Sequence, residues 1–418
     1  MMAALSSSAL LAPFRVRSFR FQFPADLLTS WGIEMENLVL GWYILAETGS
    51  VLLLSLFWAL QYLGTLLAPL FGMAGDRVGH RAILCAMRIV YAVLALTMMT
   101  FALTGVLRPI HVFLIATASG LLRPSDQTMR NALIAETIPA NRLMPAMGMS
   151  RTTQDSARIA GSLAGAGIFA VFGMGAVYLV ISVFYAGGFL TTLGVGGRRY
   201  ARVATGAAGG VPLWRDLVDG LSYVWDTPAS LASIWLALLV NLTAFPFTSG
   251  LLPYVARNVY HIGQTGLGTL VASFAIGSLT GSIAVSLAGR ILRPARMMIV
   301  FALVWYAFLL VFAHMPEPAT GRLALVLAGF AQALSLVPMS VLLLHSAGER
   351  YRGRVMGVRT LAIYGVPPGL LTAGLLIDRI GFPATVSLFC LVGIGLTALI
   401  ALRWRDALWP ISAPANAR

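Results

Sequence analysis

Residues 72–81 read "GMAGDRVGHR" and separate two long apolar runs. Three glycines, an acid, two arginines and a histidine share this short joint. Charge at such density belongs in water, so the runs on either side read as separate segments joined by a turn at the edge of an apolar medium. The same pattern of long apolar runs cut by short charged joints continues along the chain.

Composition identifies that medium. Of 418 residues, 58% are hydrophobic and 11% charged, and the mean hydropathy is +0.84. These values lie outside the range of soluble domains. Runs of about 20 apolar residues match a hydrocarbon core of roughly 30 Å. Because lipid offers the backbone no hydrogen bonds, such runs must be helices, and the fold class is all-α integral membrane. The net charge of +14 comes from 29 basic residues, none of them lysine. Cys85 and Cys390 both fall in apolar spans, and the five histidines are scattered, so neither a disulfide framework nor a metal site is expected.

Cutting at Pro, Gly and charge clusters predicts about twelve spans: 24–46, 50–73, 82–105, 109–129, 145–170, 174–195, 229–254, 266–289, 296–314, 320–345, 355–377 and 382–403. They group into an N-terminal bundle of six over 24–195 and a C-terminal bundle of six over 229–403. A cytoplasmic tail over 1–23 precedes them, a cytoplasmic linker over 196–228 with an amphipathic helix near 213–225 divides them, and a cytoplasmic tail over 404–418 follows. The first 20 residues carry arginine after a short apolar run, the reverse of a signal peptide. Twenty-one arginines fall in the tails and even-numbered connections and four in the odd-numbered ones. By the positive-inside rule both termini are cytoplasmic. Topology thus accounts for the basic excess, and no nucleic-acid partner is expected.

The joint supplies more than a boundary. Gly72, Asp76, Arg77, Gly79 and Arg81 form G-x-x-x-D-R-x-G-x-R between the second and third spans, which resembles the cytoplasmic signature of the major facilitator superfamily. The resemblance implies two pseudo-symmetric six-helix bundles with a latch at this loop. The halves also echo each other: "GTLLAPLFGMAGDR" from Gly64 is similar to "GSLTGSIAVSLAGR" from Gly277, and "AMGMSRT" from Ala146 to "VMGVRT" from Val355. In transporters, repeats of this kind place the substrate site between halves that rock. The stretch from Arg123 to Gly173 resembles the branch that includes the enterobactin exporter. Arg158, Gly161 and Gly165 match that branch, while Ser162 stands where its members carry proline. Pro367 and Pro368 are expected to bend or break the eleventh helix.

Ionisable side chains at mid-membrane depth mark pathways or paired networks. In the first span Asp26, Ser30, Glu34, Asn37 and Gly41 share one helical face, whereas Glu36 points about 160° away from Glu34. Glu34 is expected to face the cavity and Glu36 a neighbouring helix. In the fifth span Arg151, Asp155 and Arg158 stack at i, i+4, i+7, with Asp155 able to pair with either arginine and Arg158 able to reach a first-helix glutamate. Arg123, Asp126 and Arg130 repeat the pattern at the cytoplasmic end of the fourth span. Glu34, Glu36, Asp155 and Arg158 are the expected proton-coupling residues. Asn37, Asn241, Gln332 and Tyr364 are candidate cavity residues. With Trp305 and Tyr306 as further walls, the second half would suit an apolar substrate.

No phosphate-cradling loop, metal cluster or nucleophile elbow is present, which argues against an enzyme. The expected protein is a cofactor-free secondary active transporter in the inner membrane of a bacterium, acting as a monomer by proton-coupled export of a small, largely apolar compound. Its partners would be that substrate, protons and the lipid bilayer. Uptake of a metabolite, and a receptor or scaffold built on the same fold, are the alternatives.

Overall fold

A computed structural model describes residues 12–196, 213–288, 293–347 and 351–409. Among the described residues every regular element is helical. The chain divides into two compact units. Unit 1 comprises Met1–Leu53, Phe57–Gly209 and Ile262–Ala272, and unit 2 comprises Leu54–Leu56, Gly210–His261 and Ser273–Arg418.

In unit 1 the first span is α1 (Arg17–Thr48). The second is α2 (Val51–Leu60), a 3-10 turn over Leu63–Leu67, and α3 (Ala68–Val78). The third and fourth are α4 (His80–Thr104) and α5 (Pro109–Thr137). The fifth runs through α6 (Ala140–Ser156), a π-turn over Ala157–Gly161, and the start of α7 (Ser162–Leu193). Gly173, at φ 76°, breaks α7, and the sixth span follows it. Only glycine adopts that backbone conformation cheaply.

In unit 2, α8 (Leu213–Asp226) is the helix expected in the linker, and it meets α9 (Pro228–Thr243) at a bend of 111°. The seventh span continues beyond α9 through two π-turns, Pro246–Gly250 and Val255–Val259. The eighth span is α10 (Gln264–Ala288), which belongs to unit 2 from Ser273 onward, and the ninth and tenth are α11 (Pro294–Ala313) and α12 (Pro318–Ser346). The eleventh is α13 (Arg352–Leu361), a 3-10 turn over Ala362–Gly365, and α14 (Val366–Ile380), so it breaks beside Pro367 and Pro368. The twelfth is α15 (Phe382–Arg403).

Seven helices among the described residues are by themselves long and apolar enough to cross a membrane, one of them covering the fifth and sixth spans together. The second and seventh spans are absent from that set because their helices are short and broken, and the first and fourth are absent although their helices are long. The first and fourth fail because they carry charge: Asp26, Glu34 and Glu36 on α1, and Arg123, Asp126 and Arg130 on α5.

Backbone approaches at glycine repeat in the two units. Gly64 faces the carbonyls of Leu121 and Gly120, and Gly120 faces that of Leu60, which joins the second and fourth spans of unit 1. In unit 2, Gly277 faces the Val326 carbonyl and Gly329 that of Phe274, joining the eighth and tenth. Such contacts let helix backbones pack where lipid supplies no hydrophobic force between them. Gly120→Val would drive a side chain into the Leu60 carbonyl, at a cost on the order of 1–3 kcal/mol. It should lower the unfolding temperature of the purified protein. Gly167→Ala is the control, because a Cβ there meets nothing within 4 Å, and it should unfold at or above the wild-type temperature.

Several termini of unit 1 helices meet at one end. Arg81 donates to the Leu193 carbonyl, Ser18 Oγ to the Gly196 carbonyl at 2.7 Å, and His80 Nδ1 lies 2.8 Å from Glu136 Oε1. Phe19, Ile134, Ile138 and Ala146 form an apolar cluster beside them. Gly79, at φ 103°, ends α3 and donates to the Gly75 carbonyl at 2.8 Å. The motif's second glycine therefore makes the turn. Gly72 has open space around it, Arg77 is exposed, and the side chain of Asp76 lies outside the described part of the structure.

Candidate functional site

The first and fifth spans approach through two glycines. A Cβ on Gly161 would lie 3.3 Å from the Glu34 Cβ and from the Trp31 carbonyl, and one on Gly165 would lie 3.0 Å from the Met35 Cγ. Because both are glycine, α1 lies close enough for Arg158, on the π-turn, to face Glu34 at 4.0 Å. A π-turn inserts an extra residue into the helix and re-aims the side chains on it, a device frequent at functional sites.

Glu34 lines a cavity of about 170 Å³ whose walls all come from unit 1. Ser30, Ile33, Gln127 and Gln154 contribute its neutral wall, and the acids Asp126 and Asp155 with the arginines 123, 130, 151 and 158 the rest. Two kinds of ion pair surround it. Arg88–Asp26, Arg123–Glu36 and Arg130–Asp126 are each 2.5 Å apart, with every side chain at 10% exposure or less. Glu34–Arg158 at 4.0 Å and Asp155–Arg151 at 3.8 Å are looser and wetter, with the arginines 45% and 70% exposed.

The tight pairs are braced by further hydrogen bonds. Arg123 also donates to Asn37 Oδ1 and, at 2.9 Å, to Gln61 Oε1, while Tyr185 Oη donates to Glu36 Oε2 at 2.8 Å. Arg130 reaches Ser30 Oγ at 2.7 Å and the Asp26 carbonyl at 3.2 Å. Arg88 adds the Gly188 carbonyl at 3.3 Å. Paired and hydrogen-bonded in this way, charges can stay buried.

Glu34 thus lies in the cavity wall, whereas Glu36 is buried against α5 and the sixth span. Asn37 accepts from Arg123 beside Glu36, although helical periodicity groups it with Glu34. Asp155 pairs with Arg151 and Arg158 with Glu34. One boundary needs correction. The fourth span is expected to end at 129, but α5 continues to Thr137 and holds Arg123, Asp126 and Arg130 inside the helix. Arg130, just past the expected end, is buried at 2% exposure between Asp126 and Asp26.

Sequence reasoning missed Arg88, Tyr185 and Gln61 as partners. Arg88 carried a signal, since an arginine within an apolar span requires an acid at its own depth. Tyr185 and Gln61 carried none.

Unit 2 repeats the construction without the charge. Gly365 faces the Leu238 carbonyl and the Asn241 Cβ, and Gly369 the Leu242 carbonyl, so the eleventh span meets the seventh as the fifth meets the first. Asn241 stands opposite Gly365 as Glu34 stands opposite Gly161. It donates to the Ala362 carbonyl at 3.1 Å. Gln332 is buried in α12 at 5% exposure, and Tyr364 lies on the 3-10 turn of the eleventh span. Trp305 and Tyr306 are fully buried, Tyr306 bonding to Thr243 at 2.6 Å. The aromatic wall that suggested an apolar substrate is core packing.

The sequence matches the family model described as Major Facilitator Superfamily over residues 23–370. No curated protein matches it. Among solved structures, the fold resembles a bacterial homolog of the human lysosomal transporter Spinster, in an inward-facing and unoccupied conformation. That match has a TM-score of 0.71 and 15% identity and covers 95% of this chain and 98% of the other. A D-xylose-proton symporter matches with a TM-score of 0.70 and 13% identity, covering 91% and 96%. The human organic anion transporter MFSD10 matches with a TM-score of 0.62 and 16% identity, covering 93% and 99%. At such identities the structures speak to fold alone. With the family model covering most of its length and the helical architecture in agreement, the chain belongs to the Major Facilitator Superfamily.

Proposed function

We propose that the chain is a proton-coupled secondary active transporter for a small polar organic solute, working by alternating access with Glu34 as the group that binds and releases the proton. The observation that carries this reading is the contrast among the interior acids. Asp26, Glu36 and Asp126 are held at 2.5 Å by buried arginines. Glu34 faces an arginine at 4.0 Å from the wall of a polar cavity, with 25% of its side chain exposed. A loosely paired acid that water can reach exchanges its proton more readily than one locked in a dry pair.

The family's members are transporters, which supports transport over catalysis. All the site residues come from one unit of one chain, which supports a monomer. Arginine placement supports cytoplasmic termini, and the family resemblance with the lysine-free, Ala- and Gly-rich composition supports the inner membrane of a bacterium. Asp155 and Arg158 tune the site from the fifth span, and the loop at Asp76, Arg77 and Arg81 acts as the cytoplasmic latch. Glu36, tied to Arg123 and Tyr185, is structural in this reading rather than a second proton carrier.

Export remains the direction implied by the exporter-like stretch in the fourth and fifth spans. The burial of Trp305 and Tyr306 removes the support for an apolar cargo. The test is a panel of labelled polar and apolar solutes in cells with and without the protein, with accumulation measured before and after a proton uncoupler. The reading expects at least one polar solute whose distribution depends on the protein and collapses with the uncoupler. A distribution that ignores the uncoupler contradicts proton coupling.

A further inference from the structure

The charges in and around the cavity balance one to one. Three buried acids are each taken by an arginine at 2.5 Å, and the two remaining, Glu34 and Asp155, face the two remaining arginines, Arg158 and Arg151, at 4.0 and 3.8 Å. With every group ionised the interior of unit 1 is neutral. A proton on Glu34 leaves one positive charge uncompensated, and it resides on the Arg158 guanidinium, which is 45% exposed in the cavity wall. We infer that the substrate is a small organic monoanion, a carboxylate, that binds Arg158 when Glu34 is protonated.

The inference rests on the reading of Glu34 as the proton site and adds the substrate class. Arginine presents a planar fork that matches a carboxylate through two parallel hydrogen bonds. Arg151, 70% exposed, stands on the same helix face as a second cationic group. Ser30, Gln127 and Gln154 offer neutral hydrogen-bonding partners, and Ile33 the apolar contact, within about 170 Å³. That volume suits a small acid. A cationic substrate fits poorly, because it would have to displace the proton beside two arginines whose charges repel it.

Glu34 is faced by Arg158 from the fifth span, Arg123 from the fourth and Tyr62 from the second. Arg123 is committed to Glu36, Asn37 and Gln61, so Arg158 is the partner that protonation releases. Proton and anion therefore bind together and cross together. The consequence is symport: an inward proton gradient drives the acid in, which is the uptake alternative rather than the export that the exporter-like stretch implies, and the cycle carries no net charge.

The test uses the purified full-length protein and three carboxylates, lactate, hexanoate and benzoate, each beside its own amide, with benzylamine as the cation. Binding is read as the shift in unfolding temperature at mildly acidic and at alkaline pH. At least one carboxylate should stabilise the wild type at acidic pH and lose the effect at alkaline pH, while its amide and benzylamine do nothing. Arg158→Gln should lose the shift. Glu34→Gln should keep it at both pH values, since its neutral side chain mimics the protonated acid.

Equal shifts from acid and amide, no binding by any carboxylate, or undiminished binding in Arg158→Gln would overturn the inference. Benzylamine binding that loses its pH dependence in Glu34→Gln would overturn the anion but leave Glu34 as the proton site. Carboxylate binding that stays pH-dependent in Glu34→Gln would overturn both.

Discussion

Replacing Glu34 by glutamine abolishes proton-driven accumulation in liposomes and leaves the yield and unfolding temperature of the protein near wild type. The two halves of this expectation have separate physical grounds. A 4.0 Å pair with a half-exposed arginine contributes about 0–1 kcal/mol to stability, and glutamine fills the same volume. The fold therefore barely notices the change. Coupled flux needs a group that takes up a proton on one side and loses it on the other, and glutamine does neither. The loss should be on the order of tenfold or more, equivalent to about 1.4 kcal/mol or more. Exchange of labelled for unlabelled substrate without a proton gradient should survive. Wild-type accumulation by Glu34→Gln would remove this residue from the mechanism.

The opposite signature is expected at Arg123. Replacing it by methionine keeps much of the side chain's length but leaves the Glu36 carboxylate, 3% exposed, without its cation. Asn37 and Gln61 lose their donor as well. Breaking a buried pair from one side costs about 3–5 kcal/mol, because an uncompensated charge remains in a dry site. Arg123→Met should therefore express poorly or unfold at a clearly lower temperature in detergent. Adding Glu36→Gln to it removes the stranded charge and should recover much of the loss. A single variant as stable as wild type, or a double variant worse than the single, would contradict the structural role given to this pair. Glu34 and Glu36 are two residues apart on one helix, yet the first should alter function with little effect on folding and the second folding above all.

That division was partly legible in the sequence. At 100° per residue, Glu34 and Glu36 face opposite ways, and the polar face through Asp26 and Ser30 points to Glu34 as the exposed one. Which partner each acid takes was not legible. Arg123 and Glu36 lie 87 residues apart, and no local pattern encodes a contact of that span. The span boundaries moved for physical reasons as well. The first helix begins at Arg17 because Phe14, Phe19 and Phe23 pack edge to face and tilted against one another, which extends the helix past the last purely apolar stretch. The fourth reaches Thr137 because Arg130 has buried partners, so a charged residue that reads as a boundary lies within the helix. The glycine correspondence between halves was readable at Gly64 and Gly277, which make equivalent approaches in their units. The replacement of Glu34 by Asn241 in the second half became visible only once Gly161 and Gly365 identified the matching positions.

The central claim is that Glu34 is the interior acid that changes protonation. Infrared difference spectroscopy tests it most directly, by recording the carboxylic-acid stretching band that grows when the reconstituted wild-type protein is acidified. The account predicts a band that disappears in Glu34→Gln and persists in Asp155→Asn and, where that variant folds, in Glu36→Gln. A band unchanged in Glu34→Gln, or one lost only in Glu36→Gln, would contradict it.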